Sequence, residues 1–234
     1  MIKVENIKVF NLEGAIRGMR NPMNSWDKSD TDFSKENVTL GENDKSLAQR
    51  LIKAGPEHRK FLRQIMIGFD VVAPTYWYLE FDTYKVGVIS NSCSKMHKLM
   101  SRPLTIDDFS LDCTPEDCAE DQPMWNHPMW YLLGMLNKGI DIYNHFDEYK
   151  QKGKLRESFT DKKQVFLTVL QMLPMSYNQR RTVTMNAENL LNIVNQRSHH
   201  KLKEWHDFID AMRDGTPELS FLWDLVNNTK TKCE

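Results

Sequence analysis

Two arginines near the end of the chain define the chemistry this sequence can do. From Asn186 to Arg197 the segment NAENLLNIVNQR sets Leu190, Ile193 and Val194 on one face of a helix that Asn186 can cap, and Arg197 continues the apolar stripe at the next turn. A guanidinium on an apolar stripe needs an anion, because desolvating it uncompensated is costly. That anion is either a carboxylate of this chain or a ligand. Arg180 and Arg181 precede Thr182-Val183-Thr184-Met185-Asn186, which delivers a second guanidinium to the start of the same helix, where free N–H groups also favour negative charge. Guanidinium forks at a helix start suit a phosphate or the planar acyl-urea edge of a base such as uracil. His199 and His200 follow directly. Adjacent helical side chains diverge by about 100°, so at most one of these imidazoles faces the same site.

Other chemistries lack their residues. Cys113 and Cys118, with Asp112, Asp117 and His127 nearby, form a C-x4-C pair with no second pair, which is not a zinc signature, and no metal is expected. The sequence has no GxGxxG, no Walker loop, no G-x-S-x-G and no HExxH. His58 and His97 stand without partner motifs and read as surface or core fillers. Cys93 reads as an inert small core residue rather than a catalytic thiol.

The elements that position the arginines follow from periodicity. Alternation of Ile2, Val4, Ile7 and Val9 gives a strand over residues 2–12. Residues 20–43 are rich in Asn, Asp and Ser without a period and read as a surface loop that could cover a site. Helical spacing over 44–53, and again after Pro56, predicts two helices separated by Gly55-Pro56. Residues 67–84 change to β-branched and aromatic types: a strand, a break at Pro74, then a short aromatic-rich helix or strand. The acidic stretch 107–121 reads as solvated loop or helix start. Pro128 opens a helix striped by Trp130, Leu133, Leu136, Ile140 and Tyr143 that ends before the basic residues 150–157; another helix spans 162–173, and Trp205, Phe208, Ile209 and Met212 form a further apolar face. This mixture indicates an α+β fold without internal repeats or a clean boundary, read as a single domain over 1–234.

Composition agrees. The 234 residues carry 31 Lys and Arg against 32 Asp and Glu, a formal charge of −1, with 40% apolar residues. Such a chain can bury a sizeable core without staples, and its charge argues against a general nucleic-acid binder. No apolar run is long enough to span a membrane or serve as a signal peptide, so a cytoplasmic protein with four reduced cysteines is expected.

These residues, taken together, resemble a family: the flavin-dependent thymidylate synthases. Leu173 to Arg197, LPMSYNQRRTVTMNAENLLNIVNQR, is similar to the family signature LP-x5-R-x3-T-x-N-x10-R, with Pro174, Arg180, Thr184, Asn186 and Arg197 in register. Glu204-Trp205 follows where the family carries Gln-Trp-Glu. A second match runs from Ala73-Pro74 to Asn91 and Ser94. There the family's Arg-His-Arg triplet reads Thr83-Tyr84-Lys85, and its Arg-Tyr reads Met96-His97. The family's upstream histidine motif has no counterpart, since Glu57-His58 falls at another distance. The resemblance covers residues 45–215.

The resemblance implies a single thymidylate synthase complementing protein-like domain, a mixed sheet with several long helices. It further implies the methylation of deoxyuridine monophosphate (dUMP) to dTMP with FAD as cofactor and methylenetetrahydrofolate and NADPH as co-substrates, in a homotetramer with shared sites. Arg180, Arg197 and Ser94 would hold dUMP; Asn186, His200, Lys85, Tyr84 and Thr83 would face the flavin. Arg197 is the catalytic candidate, because a guanidinium against the uracil carbonyl edge stabilises the enolate-like charge of a C5 nucleophile by about 2–4 kcal/mol in a dry site. No protein nucleophile is needed. The altered triplet leaves two alternatives open, another pyrimidine-nucleotide modification on the same fold, or a non-catalytic nucleotide-binding homologue that has lost the flavin site. Tyr76-Trp77-Tyr78 is buried either in a subunit interface or in the core.

Overall fold

A computed structural model describes residues 2–35, 38–112, 128–155 and 159–230. In chain order its elements are β1 (Lys3–Phe10), α1 (Leu12–Arg20), α2 (Glu42–Ala54), β2 (Met66–Pro74), α3 (Thr75–Phe81), β3 (Ile89–Ser92), α4 (Lys95–Lys98), α5 (Pro128–Asn144), α6 (Phe146–Gln151), α7 (Lys162–Met172), β4 (Asn178–Asn186), α8 (Ala187–Arg197), α9 (Lys203–Gly215) and α10 (Ser220–Lys230), an α+β arrangement. They fall into two compact units: a larger one of residues 2–72, 79–91 and 180 onward, and a smaller one of 73–78 and 92–179.

The larger unit is built on a sheet of order β1-β2-β4-β3. β1 runs antiparallel to β2, with Lys3 opposite Val72 and Phe10 opposite Met66. Period-two alternation buries Ile67, Phe69 and Val71 of β2. The register slips between Glu5 and Lys8, where Asn6 adopts φ 56°, a left-handed conformation that asparagine tolerates. α9 packs on β1, and its expected stripe of Trp205, Phe208, Ile209 and Met212 is wholly buried. Phe208 meets Phe69 at 5.7 Å between ring centroids and Trp205 at 6.1 Å, edge to face.

Residues 20–43 differ from a loose excursion. The Asp30 carboxylate caps α2 by accepting from the amides of Asn43 (2.9 Å) and Asp44 (3.1 Å). Asp44, fully buried, accepts from the Ser29 and Thr31 hydroxyls, from the amides of Asp30 and Thr31, and from Arg20 Nε at 2.6 Å. A Cβ on Gly41 would stand 2.4 Å from the Asp30 carboxylate, so this close approach requires glycine. A second departure follows α2. Instead of a helix after Pro56 there is a turn and a four-residue 3₁₀ segment, Lys60–Arg63, because the sheet claims the chain from Met66 and Arg59 and Arg63 both turn to Glu188.

The smaller unit has its own core, in which Leu99, Leu104 and Phe109 join Met129, Leu133, Leu136 and Ile140 of α5 and Phe166 and Val169 of α7. The helix opened by Pro128 is present, and Leu133, Leu136 and Ile140 of its expected stripe are buried with Tyr143 packed against them, but the first position differs: Met129 is buried and Trp130 is 52% exposed. α6 continues helical structure into the basic stretch, up to Gln151. α7 starts at a capping box in which Asp161 accepts from the Gln164 amide (2.9 Å). Trp77 and Tyr78 are buried within this unit, with the Tyr78 hydroxyl donating to the Gln179 carbonyl at 2.8 Å. Cys93, expected in the core, is exposed. His58 and His97 are also at the surface. Cys113, Asp117, Cys118, His127 and Cys233, with most of the acidic stretch, lie outside the described residues. Among the described residues there is no metal-binding group and no helix long and apolar enough to cross a membrane.

Candidate functional site

β4 carries Arg180, Arg181 and Thr182 and runs directly into α8, where Asn186 caps the helix by accepting from the Asn189 amide at 2.9 Å. The two arginines therefore sit on a strand rather than at the helix start, and neighbouring strand positions face opposite ways. Arg180 donates through Nη2 to Asp70 (2.9 Å) and Glu5 (3.2 Å). Asp70 also accepts from Thr182 Oγ1 (2.6 Å) and Asn6 Nδ2 (2.9 Å). These donors, Thr182 foremost, pull the Asp70 carboxyl down to about 2. Arg181 turns the other way and pairs with Asp82 at 2.7 Å.

Arg197 ends the stripe of α8, one-fifth exposed, and its partner is Glu80 from the last turn of α3. Nη1 donates to Glu80 Oε2 at 2.9 Å, and the same oxygen takes Trp205 Nε1 at 2.9 Å and lies 3.3 Å from His200 Nε2. Nε donates to the Tyr84 hydroxyl (3.0 Å), which in turn donates to Gln196. The guanidinium lies 5.0 Å from the Trp205 ring centre and 5.8 Å from that of Tyr84. Nη2 makes no hydrogen bond among the described residues, which leaves one edge of the fork available to an acceptor.

The turn after α3 lies along α8. Tyr84 meets its C-terminal end, the Val86 carbonyl accepts from Asn189 Nδ2 at 2.7 Å, and Gly87 faces Asn186. Gly87 has φ 75°, and a Cβ there would stand 2.5 Å from Asn186 Nδ2, so only glycine serves.

Of the residues expected at the flavin, Thr83, Tyr84 and Lys85 are thus on this turn, Asn186 caps α8 where Gly87 faces it, and His200 follows in the Glu80 cluster. Thr83 and Lys85 are exposed, Lys85 without an ion pair among the described residues; Tyr84 is engaged with Arg197, and Asn186 serves as helix cap. His199 points to solvent while His200 joins Glu80. Arg180 and Arg197 share no partner, and the expected convergence of the two is not present within the larger unit. Ser94 precedes α4 in the smaller unit. Glu80, Asp70 and Asp82 were not singled out from the sequence. Glu80 left one signal, as the lone charge in the apolar run TYWYLEF, the counterpart of a lone arginine on α8.

This fold is that of the flavin-dependent thymidylate synthases. Two solved structures of thymidylate synthase X from Helicobacter pylori, both described with FAD and dUMP, are similar to the chain at 18% identity: one with a TM-score of 0.65 over 97% of this chain and 99% of that one, the other with 0.60 over 91% and 93%. No family model and no curated protein matches the sequence.

The exposed turn at 83–87 fits part of a flavin. It offers the Lys85 ammonium, which makes no ion pair among the described residues, to a phosphate, beside the positive-φ backbone at Gly87; the Thr83 hydroxyl donates to the Glu80 carbonyl at 2.7 Å and keeps only its oxygen as an acceptor.

Proposed function

We propose that this protein is a flavin-dependent thymidylate synthase-like methyltransferase that converts dUMP to dTMP, with FAD as cofactor and methylenetetrahydrofolate and NADPH as co-substrates. The observation that carries this reading is Arg197, a partly buried guanidinium packed on Trp205 and Tyr84 with one N–H edge unused. A uracil carbonyl edge is a planar acceptor of the right kind. As C5 becomes nucleophilic, charge gathers on that carbonyl, and Arg197, fixed beforehand by Glu80 and Tyr84, stabilises it without reorganising. Glu80 keeps the guanidinium oriented. Arg180, half-exposed with Nε and Nη1 unused among the described residues, would take the nucleotide phosphate. Lys85 and Thr83 would hold the flavin, which when bound supplies the hydride that reduces the transferred one-carbon unit. The working form is a cytoplasmic homotetramer with shared sites.

A second reading, a nucleotide-binding homologue without catalysis, draws on two observations: Arg180, Arg181 and Arg197 each already hold an acid of the chain, and Thr83 and Lys85 stand where the family has arginines. Absorbance separates the two. A yellow preparation, or one that takes up added FAD, followed by a methyl gain on dUMP seen by mass spectrometry, supports the enzyme; a protein that stays colourless supports the second reading. For the site, Arg197→Ala is expected to abolish dUMP binding by calorimetry with little change in Tm. Loss of folding would make Arg197 a structural ion-pair residue and overturn the assignment.

A further inference from the structure

A cavity of about 210 Å³ in the larger unit is lined by no residue of the candidate functional site. Glu13, Arg17 and Arg20 of α1 line it on one side, Trp26 and Phe33 on the other. Arg20 is 97% buried, being 3% exposed. Its Nε is held by Asp44 (2.6 Å) and its Nη1 by the Ser25 carbonyl (3.1 Å), but Nη2 is buried with no hydrogen-bond partner among the described residues. Buried guanidinium N–H groups are rarely left unpaired, because removing them from water is not recovered elsewhere. Asp44 does not supply the missing acceptor: its Oδ1 takes Arg20 Nε, and its Oδ2 takes the Ser29 and Thr31 hydroxyls and the amides of Asp30 and Thr31. Arg17 stands one helical turn from Arg20, exposed, with no ion pair among the described residues and its guanidinium 5.6 Å from the Trp26 ring centre. Glu13 is the one carboxylate on the lining.

We propose that this cavity is a binding site for a small oxyanion, a phosphate or carboxylate group, received by the buried Nη2 of Arg20 and the exposed fork of Arg17. Two guanidiniums on the lining of one space match an acceptor with two or more oxygens.

Inorganic phosphate and acetate, titrated calorimetrically into the full chain at constant ionic strength against chloride, test this and distinguish the two sources of oxygen. Binding of either anion is expected, with a matching rise in Tm. Arg17→Gln, a surface change that leaves the Arg20–Asp44 pair intact, is expected to weaken it about tenfold, while Glu13→Gln tightens it. Arg197→Ala is expected to leave it unchanged. Equal affinity in Arg17→Gln and the unaltered chain, loss of the signal in Arg197→Ala, or no binding beyond that of chloride would each overturn the proposal, the last meaning that the cavity holds only water.

Discussion

The larger unit contains two arginine–carboxylate centres that differ in how far each carboxylate is satisfied. Asp44 is fully buried, and five donors divide between its two oxygens, with Arg20 only one of them. Glu80 is one-third exposed and gathers Arg197, Trp205 and His200 onto Oε2, so that Oε1 makes no hydrogen bond among the described residues. The first centre is closed around its anion, which ties residues 25–31 to the start of α2. The second is closed around its cation, which aromatic faces hold in place while part of its fork stays open. A saturated, buried carboxylate serves folding; a guanidinium fixed on one edge and open on the other can serve a ligand.

The largest effect should come from breaking the buried centre. Asp44→Ala removes the acceptor of two hydroxyls and two amides and strands the Arg20 charge, and should cost about 3–5 kcal/mol in denaturant unfolding. A loss below about 1 kcal/mol would mean that water enters and that the two centres are alike.

What the sequence disclosed follows the same division. The Asn186 cap, the stripes of α8 and α9, the alternation of β1 and β2 and the helix from Pro128 were all legible, because each is a local period or a cap within a few residues. Arg197 was legible as a guanidinium in need of an anion; Glu80 was not, lying 117 residues away. Asp70, at 110 residues from Arg180, and Asp82, at 99 from Arg181, were hidden for the same reason. The segment 20–43 read as an ordinary loop because side-chain bonds to Asp30 and Asp44 have no period. Trp130 was misplaced because residues 129 and 130 are both apolar and the stripe admits only one of them. Cys93 was misplaced because a small apolar residue type gives a tendency to burial and no position.

The open centre invites a milder change. Glu80→Gln keeps an acceptor for Trp205 Nε1 but removes the charge held by Arg197. For a pair this exposed the stability cost should stay within about 1 kcal/mol, and dUMP affinity measured by calorimetry should rise about threefold to tenfold as the fork loses its internal competitor. A fall in affinity would instead make Glu80 a contact for the nucleotide.

The smallest effect concerns the pair of Arg180 on β4 with Asp70 on β2 and is read against pH. Asp70 titrates at about 2 in the folded chain, below its ordinary 3.8, because Thr182, Arg180 and Asn6 all donate to it. A carboxyl whose folded value lies below its unfolded one binds its proton more readily when unfolded, so acid favours unfolding. Its contribution is complete above the ordinary value and is lost as pH falls from 3.8 toward 2. Urea midpoints compared at about pH 5 and pH 2.5 should therefore fall further in the unaltered chain than in Asp70→Asn, which has no proton to take up. Asp44, Asp108 and Glu188, also held below their ordinary values, weaken both proteins together in acid and cancel in the difference. If the two proteins lose stability in parallel, Arg180 is not anchored by Asp70 in solution, and Glu5 is left as its competitor for an anion.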